Sequence, residues 1–282
     1  MIKARIKTKP AAIAVPDSSV ITKVVQLEDG LTDDEAEELV LLEADKYIPY
    51  PIDEVSIDYQ VLGPSSRGGN LSDVLVVASR TENVNSRVDL MKHSGLEVKF
   101  VDVESYAMER VCHIFTKQLV KEGENATIAI FDIGEMYTQL TVLHNMKTAF
   151  SREDVFGGKQ LTDDIAKTYE LSIPEARLAK DQANLPDDYQ AKVLDPFKEL
   201  VSLQLRRALQ FFYSTSQYSE VDQILLAGGC CDVPGLAEKV EEVLEIKTCV
   251  VNPVADMKIA KGVDAGLVKK DAAALMIACG LA

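Results

Sequence analysis

Three glycine-bearing turns follow one another in a fixed order along this 282-residue chain, and that order constrains the fold more than any single turn does. Phe131-Asp132-Ile133-Gly134 ends an apolar run and leads directly into Thr138-Gln139-Leu140-Thr141-Val142-Leu143. Phe156-Gly157-Gly158-Lys159 opens a helical pattern, and Leu225-Leu226-Ala227-Gly228-Gly229 closes a later apolar run. Phosphates need close backbone approach and free N–H donors, which glycine turns after strands and before helices provide. A chain of this length buries a large core and holds two or more subdomains.

Bulk chemistry removes several function classes. A net charge of −15 and a pI near 4.7 leave no clustered basic surface, so no nucleic-acid partner is expected. The five cysteines (Cys112, Cys230, Cys231, Cys249, Cys279) form no C-x-x-C pair, and the vicinal Cys230–Cys231 pair reads as packing at a strand end. His93, His113 and His144 are scattered, which argues against zinc. No apolar run reaches bilayer-spanning length, and the basic lead from Met1 to Lys9 lacks the apolar core of a signal peptide. The expectation is a soluble, cytoplasmic protein.

Along the chain, residues 10–16 and 20–27 read as strands, and Thr32-Asp33-Asp34-Glu35 as a capping box opening a helix that stops before Pro49 and Pro51. Val55, Ile57, Tyr59 and Val61 alternate with polar residues. A loop at 65–70, a strand at 73–79 and a helix at 82–94 with Gly95 at C′ complete a compact β-β-α-β-β-α unit. Beyond it the pattern gives a strand at 97–103, a long helix at about 105–121, and strands at 127–131 and 138–144. Helices follow at 159–169, 174–182 and about 193–214, then a strand at 221–227, a helix at 236–244, a strand at 248–251 and a helix at 271–279. Strands alternating with helices define an α/β class with at least one mixed sheet.

The Asp132–Gly134 turn joins two strands directly, so it is neither a Rossmann turn nor a P-loop. Its amides, with the Thr138 hydroxyl, are suited to hold a phosphate, and Asp132 then requires a bridging Mg²⁺, often through water. An ordinary Asp-Gly turn is the alternative. Gly157-Gly158 is equally readable as a loop before a helix, although Lys159 in the first helical turn opposes the helix dipole unless an anion lies nearby. Gly228-Gly229 reads either as a strand-to-loop switch or as close backbone approach to an adenine ring, where a Cβ would collide.

In this order the three turns resemble the second half of an actin-like ATPase. Further stretches are similar to the PilM family of type IV pilus assembly proteins, relatives of the division protein FtsA. These are residues 11–16 (Ala-Ala-Ile-Ala-Val-Pro), 42–51 (Leu-Glu-Ala-Asp-Lys-Tyr-Ile-Pro-Tyr-Pro), 59–64 (Tyr-Gln-Val-Leu-Gly-Pro), 101–107 (Val-Asp-Val-Glu-Ser-Tyr-Ala) and 274–282 (Ala-Leu-Met-Ile-Ala-Cys-Gly-Leu-Ala). The resemblance implies an α/β, actin-like (RNase H-like), two-lobed fold with an FtsA-like inserted subdomain and an incomplete first lobe. Residues 1–98 would form the inserted small subdomain with a short lead. Residues 99–124 and 261–282 would be the remainder of the first lobe, 125–165 and 221–260 the second lobe, and 166–220 a helical subdomain.

The resemblance also implies ATP bound with Mg²⁺ between two halves. Asp132, Gly134 and Thr138 would form the second phosphate turn, with Asp132 on Mg²⁺ through water. Gly228 and Gly229 would line the adenosine site, Lys180 would approach the nucleoside, and Gly157, Gly158 and Lys159 would lie nearby. The implied partners are the N-terminal cytoplasmic tail of PilN and other pilus assembly proteins, at the cytoplasmic face of the inner membrane and touching it only through partners. Tyr47 and Tyr50, on a Pro-set corner, would line part of the peptide groove or else cap their own core.

Two departures from the family pattern stand out. The chain begins after the place of the family's first phosphate loop, so nucleotide affinity is expected to fall. Glu135 and Met136 fill turn positions where small residues are usual, and Glu135 adds negative charge. By the resemblance, Arg177 occupies the place where many bacterial actins have a ribose-binding Glu; otherwise it reads as an ordinary solvent-facing helix residue. The function expected is a cytoplasmic scaffold of the pilus assembly platform with ATP as a conformational ligand, at most a weak ATPase. The alternatives are an active actin-like ATPase or a small-metabolite kinase of the same superfamily.

Overall fold

A computed structural model describes residues 8–65, 68–182 and 184–282. Most of the basic lead from Met1 to Lys9 and part of the 65–70 loop (Ser66, Arg67) lie outside the described residues. The chain divides into two compact units at Glu104/Ser105.

The first unit runs β1 (Pro10–Val15), β2 (Val20–Glu28), α1 (Asp33–Ala44), β3 (Val55–Pro64), β4 (Leu71–Arg80), α2 (Thr81–His93) and β5 (Glu97–Val103). β2, β4 and β3 form an antiparallel sheet in that order. Alternation places Val74, Val76 and Ala78 of β4, with Val25 and Leu27 of β2, on the buried face, where Val40 and Ala44 of α1 pack. Thr32 caps α1 as its spacing predicts: its hydroxyl accepts from the Glu35 N–H, and the Glu35 carboxylate accepts from the Thr32 N–H at 2.9 Å. Gly95 ends α2, its N–H donating to Lys92 O at 2.9 Å. β1 stands apart from that sheet and pairs in parallel with β5, because the turn at Pro16-Asp17 leads β2 away as part of a separate antiparallel ladder.

The second unit runs α3 (Glu104–Cys112), β6 (Thr127–Ile133), β7 (Thr138–His144), β8 (Lys147–Asp154), α4 (Lys159–Thr168), α5 (Ile173–Asp181), α6 (Asp195–Thr215), β9 (Gln223–Ala227), α7 (Leu236–Leu244), β10 (Thr248–Val250), α8 (Ala265–Lys270) and α9 (Met276–Leu281). Its sheet has the order β10-β9-β6-β7-β8, with β6, β9 and β10 parallel and β7 and β8 antiparallel additions. Phe197, Val201, Leu205, Leu209 and Phe212, spaced three to four apart on α6, join Phe131 and Leu140 in one core.

Three expectations change here. The helix after β5 stops at Cys112 instead of running to residue 121, and Phe115 and Leu119 are buried in the short turns that follow. The C-terminal segment is a 3₁₀ turn (Ala272–Leu275) followed by α9. β8 is a strand the sequence pattern did not announce. It follows β7 through a two-residue turn in which Asn145 (φ 51°) and Met146 (φ 63°) are both left-handed. That is the preferred hairpin twist, but Met in the second place hides the usual Asn-Gly signature.

Candidate functional site

β6 ends at Ile133 and β7 begins at Thr138, so residues 134–137 form the turn at one end of the sheet. The Gly134 N–H closes this turn by donating to Tyr137 O at 2.9 Å. The second glycine segment docks against it: Gly158 N–H donates to Gly134 O at 2.9 Å and Lys159 N–H to Glu135 O at 2.8 Å. A Cβ on Gly157 would sit 2.5 Å from both Gly134 O and Glu135 O, a backbone clash no rotamer relieves. The third segment reaches the same place because β9 pairs with β6, bringing Ala227 opposite Asp132. Gly228 follows at φ 90°, where a Cβ would lie 2.4 Å from Asp132 Oδ1 and 2.5 Å from Ile133 O. Three stretches far apart in sequence therefore meet at one junction.

The turn carries unused donors. The N–H groups of Glu135, Met136 and Tyr137 meet no acceptor among the described residues. Asp132, half-buried at the strand end, has its carboxyl pushed up to about 6 by burial, and no hydrogen bond holds its carboxylate among the described residues. Around the junction stand three cations. Lys159 pairs with Asp163 one turn along α4 at 2.5 Å, and Arg177 of α5 pairs with Glu135. Lys180, three residues after Arg177 on α5, donates to Thr162 Oγ1 at 3.1 Å and is close enough to Cys230 for its charge to oppose the rise of that thiol's pKa. Burial pushes the Cys230 thiol up to about 11 all the same, and the Cys231 thiol donates to Ala227 O at 2.7 Å. Both cysteines are packing groups at the strand end, as their position predicts.

Several site expectations change in detail. Thr138 does not offer its hydroxyl to a ligand: it is buried and donates to Phe156 O at 2.8 Å, tying β7 to the second glycine segment. Gly228 is glycine because of the protein's own Asp132 and Ile133, whereas a Cβ at Gly229 would meet nothing within 4 Å. Gly158 is only in ordinary contact, 3.4 Å from Cys230 Sγ. Lys159 offsets its helix-dipole cost with Asp163. Arg177 is not a plain solvent-facing residue but crosses to the turn. Nothing in its spacing announces this, because Glu135 lies 42 residues away.

In the first unit, Tyr47 is partly buried and packs against both apolar clusters, under the Lys23 ammonium 4.3 Å from its ring centre, and its hydroxyl is buried without a partner among the described residues. Tyr50 is 39% exposed, with the Arg80 guanidinium 5.0 Å from its ring centre.

The junction fits a nucleotide phosphate and a divalent cation on its own chemistry. Among the described residues it offers three free turn amides, an unpartnered carboxylate whose charge is costly without a cation, and a lysine, Lys180, with no carboxylate partner. Among the described residues no three acidic, histidine or cysteine side chains gather as metal ligands, so Mg²⁺ would be held chiefly by phosphate oxygens and water.

A five-stranded sheet of this order, with glycine turns converging at the end of β6 and β9, belongs to a protein of the actin-like ATPase fold. The ethanolamine utilization protein EutJ from Carboxydothermus hydrogenoformans is similar to the chain at the level of fold, with a TM-score of 0.53 and 18% identity over 72% of this chain and 61% of that one. The family is narrower than the fold. The model of the type IV pilus assembly protein PilM family matches residues 1–282, and the chain belongs to that family. A solved PilM–PilN type IV pilus biogenesis complex superposes with a TM-score of 0.77 and 26% identity, covering 99% of this chain and 80% of that chain. Among the described residues no helix is long and apolar enough to cross a membrane.

Proposed function

We propose that this protein is a cytoplasmic scaffold of the type IV pilus assembly platform. It captures the N-terminal cytoplasmic tail of a PilN-type partner, and through that partner reaches the inner membrane and other pilus assembly proteins. The observation that carries the reading is the likeness to the PilM–PilN complex across 99% of the chain. A peptide site in the first unit would use Tyr50, the aromatic member of the exposed Pro49-Tyr50-Pro51 corner, with the Arg80 guanidinium beside its ring. Tyr47 supports that corner from the core side.

ATP with Mg²⁺ is the proposed conformational ligand of the glycine junction. The free N–H groups of residues 135–137 bind phosphate oxygens. Asp132 would hold Mg²⁺ through water, and a bound cation would supply the charge that makes its ionised carboxylate less costly. Lys180 neutralises ligand charge, and the open space at Gly229 admits the flat base. Binding, not turnover, is the role assigned; Mg²⁺-dependent phosphate release that Asp132→Ala abolishes would reverse this.

The test is anisotropy with a labelled synthetic PilN-type tail. Saturable binding that a scrambled peptide does not reproduce is expected, and Tyr50→Ala should weaken it roughly tenfold without shifting the melting temperature. Equal binding of native and scrambled peptides would remove the scaffold reading.

A further inference from the structure

The ion pair between Arg177 and Glu135 sits where the proposed phosphate turn lies; the Glu135 main-chain N–H is one of the phosphate donors already described, but neither its side chain nor Arg177 has been given a part. Glu135 is the first residue of the turn whose amides are free. Its main-chain oxygen accepts from Lys159 N–H at 2.8 Å, which pins that residue, while its side chain stays 58% exposed. Arg177 projects from α5 beside the fully buried Ala176, on a helix fixed at its start by the Ser172/Glu175 capping box. Both ends of the pair are thus anchored through their backbone, and both side chains are exposed. A guanidinium held by a carboxylate beside free turn amides has the right charge and fork geometry for a phosphate.

We propose that Arg177 is a phosphate-binding residue of the junction and that Glu135 occupies it in the unliganded protein. The incoming phosphate replaces the Glu135 carboxylate on the Arg177 guanidinium. Exchange is inexpensive, since an ion pair this exposed and made through one guanidinium nitrogen is weak in water, and a phosphate offers more charge and can engage the guanidinium fork bidentately. The ligand class is an anion carrying at least one terminal phosphate, and the turn amides bind the same group. Glu135 thereby sets a threshold: it lowers affinity for weak anions and yields to a multiply charged one. The inference rests on the nucleotide reading above, which it extends by naming a residue and its competitor.

A double-mutant cycle on the full chain tests it, with Mg²⁺–ATP affinity measured by calorimetry and unliganded melting recorded as a folding control. Glu135→Gln should tighten binding about fivefold, and Arg177→Gln should weaken it about tenfold. In the Arg177→Gln background, Glu135→Gln should change affinity by less than about twofold, because no competitor remains to be released. An equal gain from Glu135→Gln in both backgrounds overturns the exchange, since Glu135 would then act by repulsion alone while the nucleotide site stands. Wild-type binding unaffected by Arg177→Gln also overturns it. No binding by any of the four proteins removes the nucleotide reading and this inference together.

Discussion

The two larger sheets of this protein are solvated in opposite ways. In the second unit, β6 and β7 are buried at nearly every position and β9 at all of them. In the first unit, β4 alternates buried with half-buried residues, and Val24 on β2 is 51% exposed on the face away from α1. A parallel core strand flanked by helices must be apolar on both faces, whereas an antiparallel sheet can leave one face to water. The difference is one of constraint: the doubly buried sheet fixes the glycine junction with little freedom to shift, while the half-open sheet leaves one face to water.

The sharpest way to break this comparison is Gly228→Ala. A left-handed alanine whose Cβ meets Asp132 and the Ile133 carbonyl should cost about 4 kcal/mol or more. Hydrogen exchange should then show lost protection in β6 and β9 with β2 and β4 still protected; simultaneous loss in both units would refute their independence. Next comes Asp132. Its carboxyl keeps its proton in the fold to about pH 6 but loses it near 3.8 when unfolded, so the folded state binds more protons between those values and stability falls as pH rises. Asp132→Asn should match the wild type near pH 4 and exceed it by about 2–3 kcal/mol at pH 7.5 in denaturant melts without divalent cations. A variant less stable than the wild type at pH 7.5 would refute the uncompensated burial. In the first unit, Thr32→Ala removes a cap and should cost about 1 kcal/mol, read as a lower melting temperature. Smallest of all, Val24→Thr on the open face should stay within about 0.5 kcal/mol; a larger loss would mean that this face is covered after all.

Much of the architecture was legible from residues. The apolar runs of β6 and β9, the Thr32/Glu35 box, the periodic face of α6 and the order of the glycine turns each carry a local signal, because capping, alternation and helical spacing are short-range chemistry. β8 was not legible, since its hairpin turn uses Met146 where glycine is usual and its edge position relaxes the alternation. The pairing of β1 with β5 spans more than eighty residues, and nothing in either strand names its partner. At the junction, the residue types were readable but their duties were not. Thr138 turned inward to a carbonyl, and Gly228 answered to Asp132 and Ile133. Arg177 found Glu135 across 42 positions.

By itself the sequence determined which segments are strands and helices for the most part, where the backbone needs glycine, and the family to which the chain belongs. The tertiary structure decided which glycines are forced by neighbouring backbone and which leave open space, which cations already have partners, and which turn amides remain free. The reason is physical: propensity and periodicity act over a few residues, while burial, pairing and charge compensation depend on groups brought together only by folding.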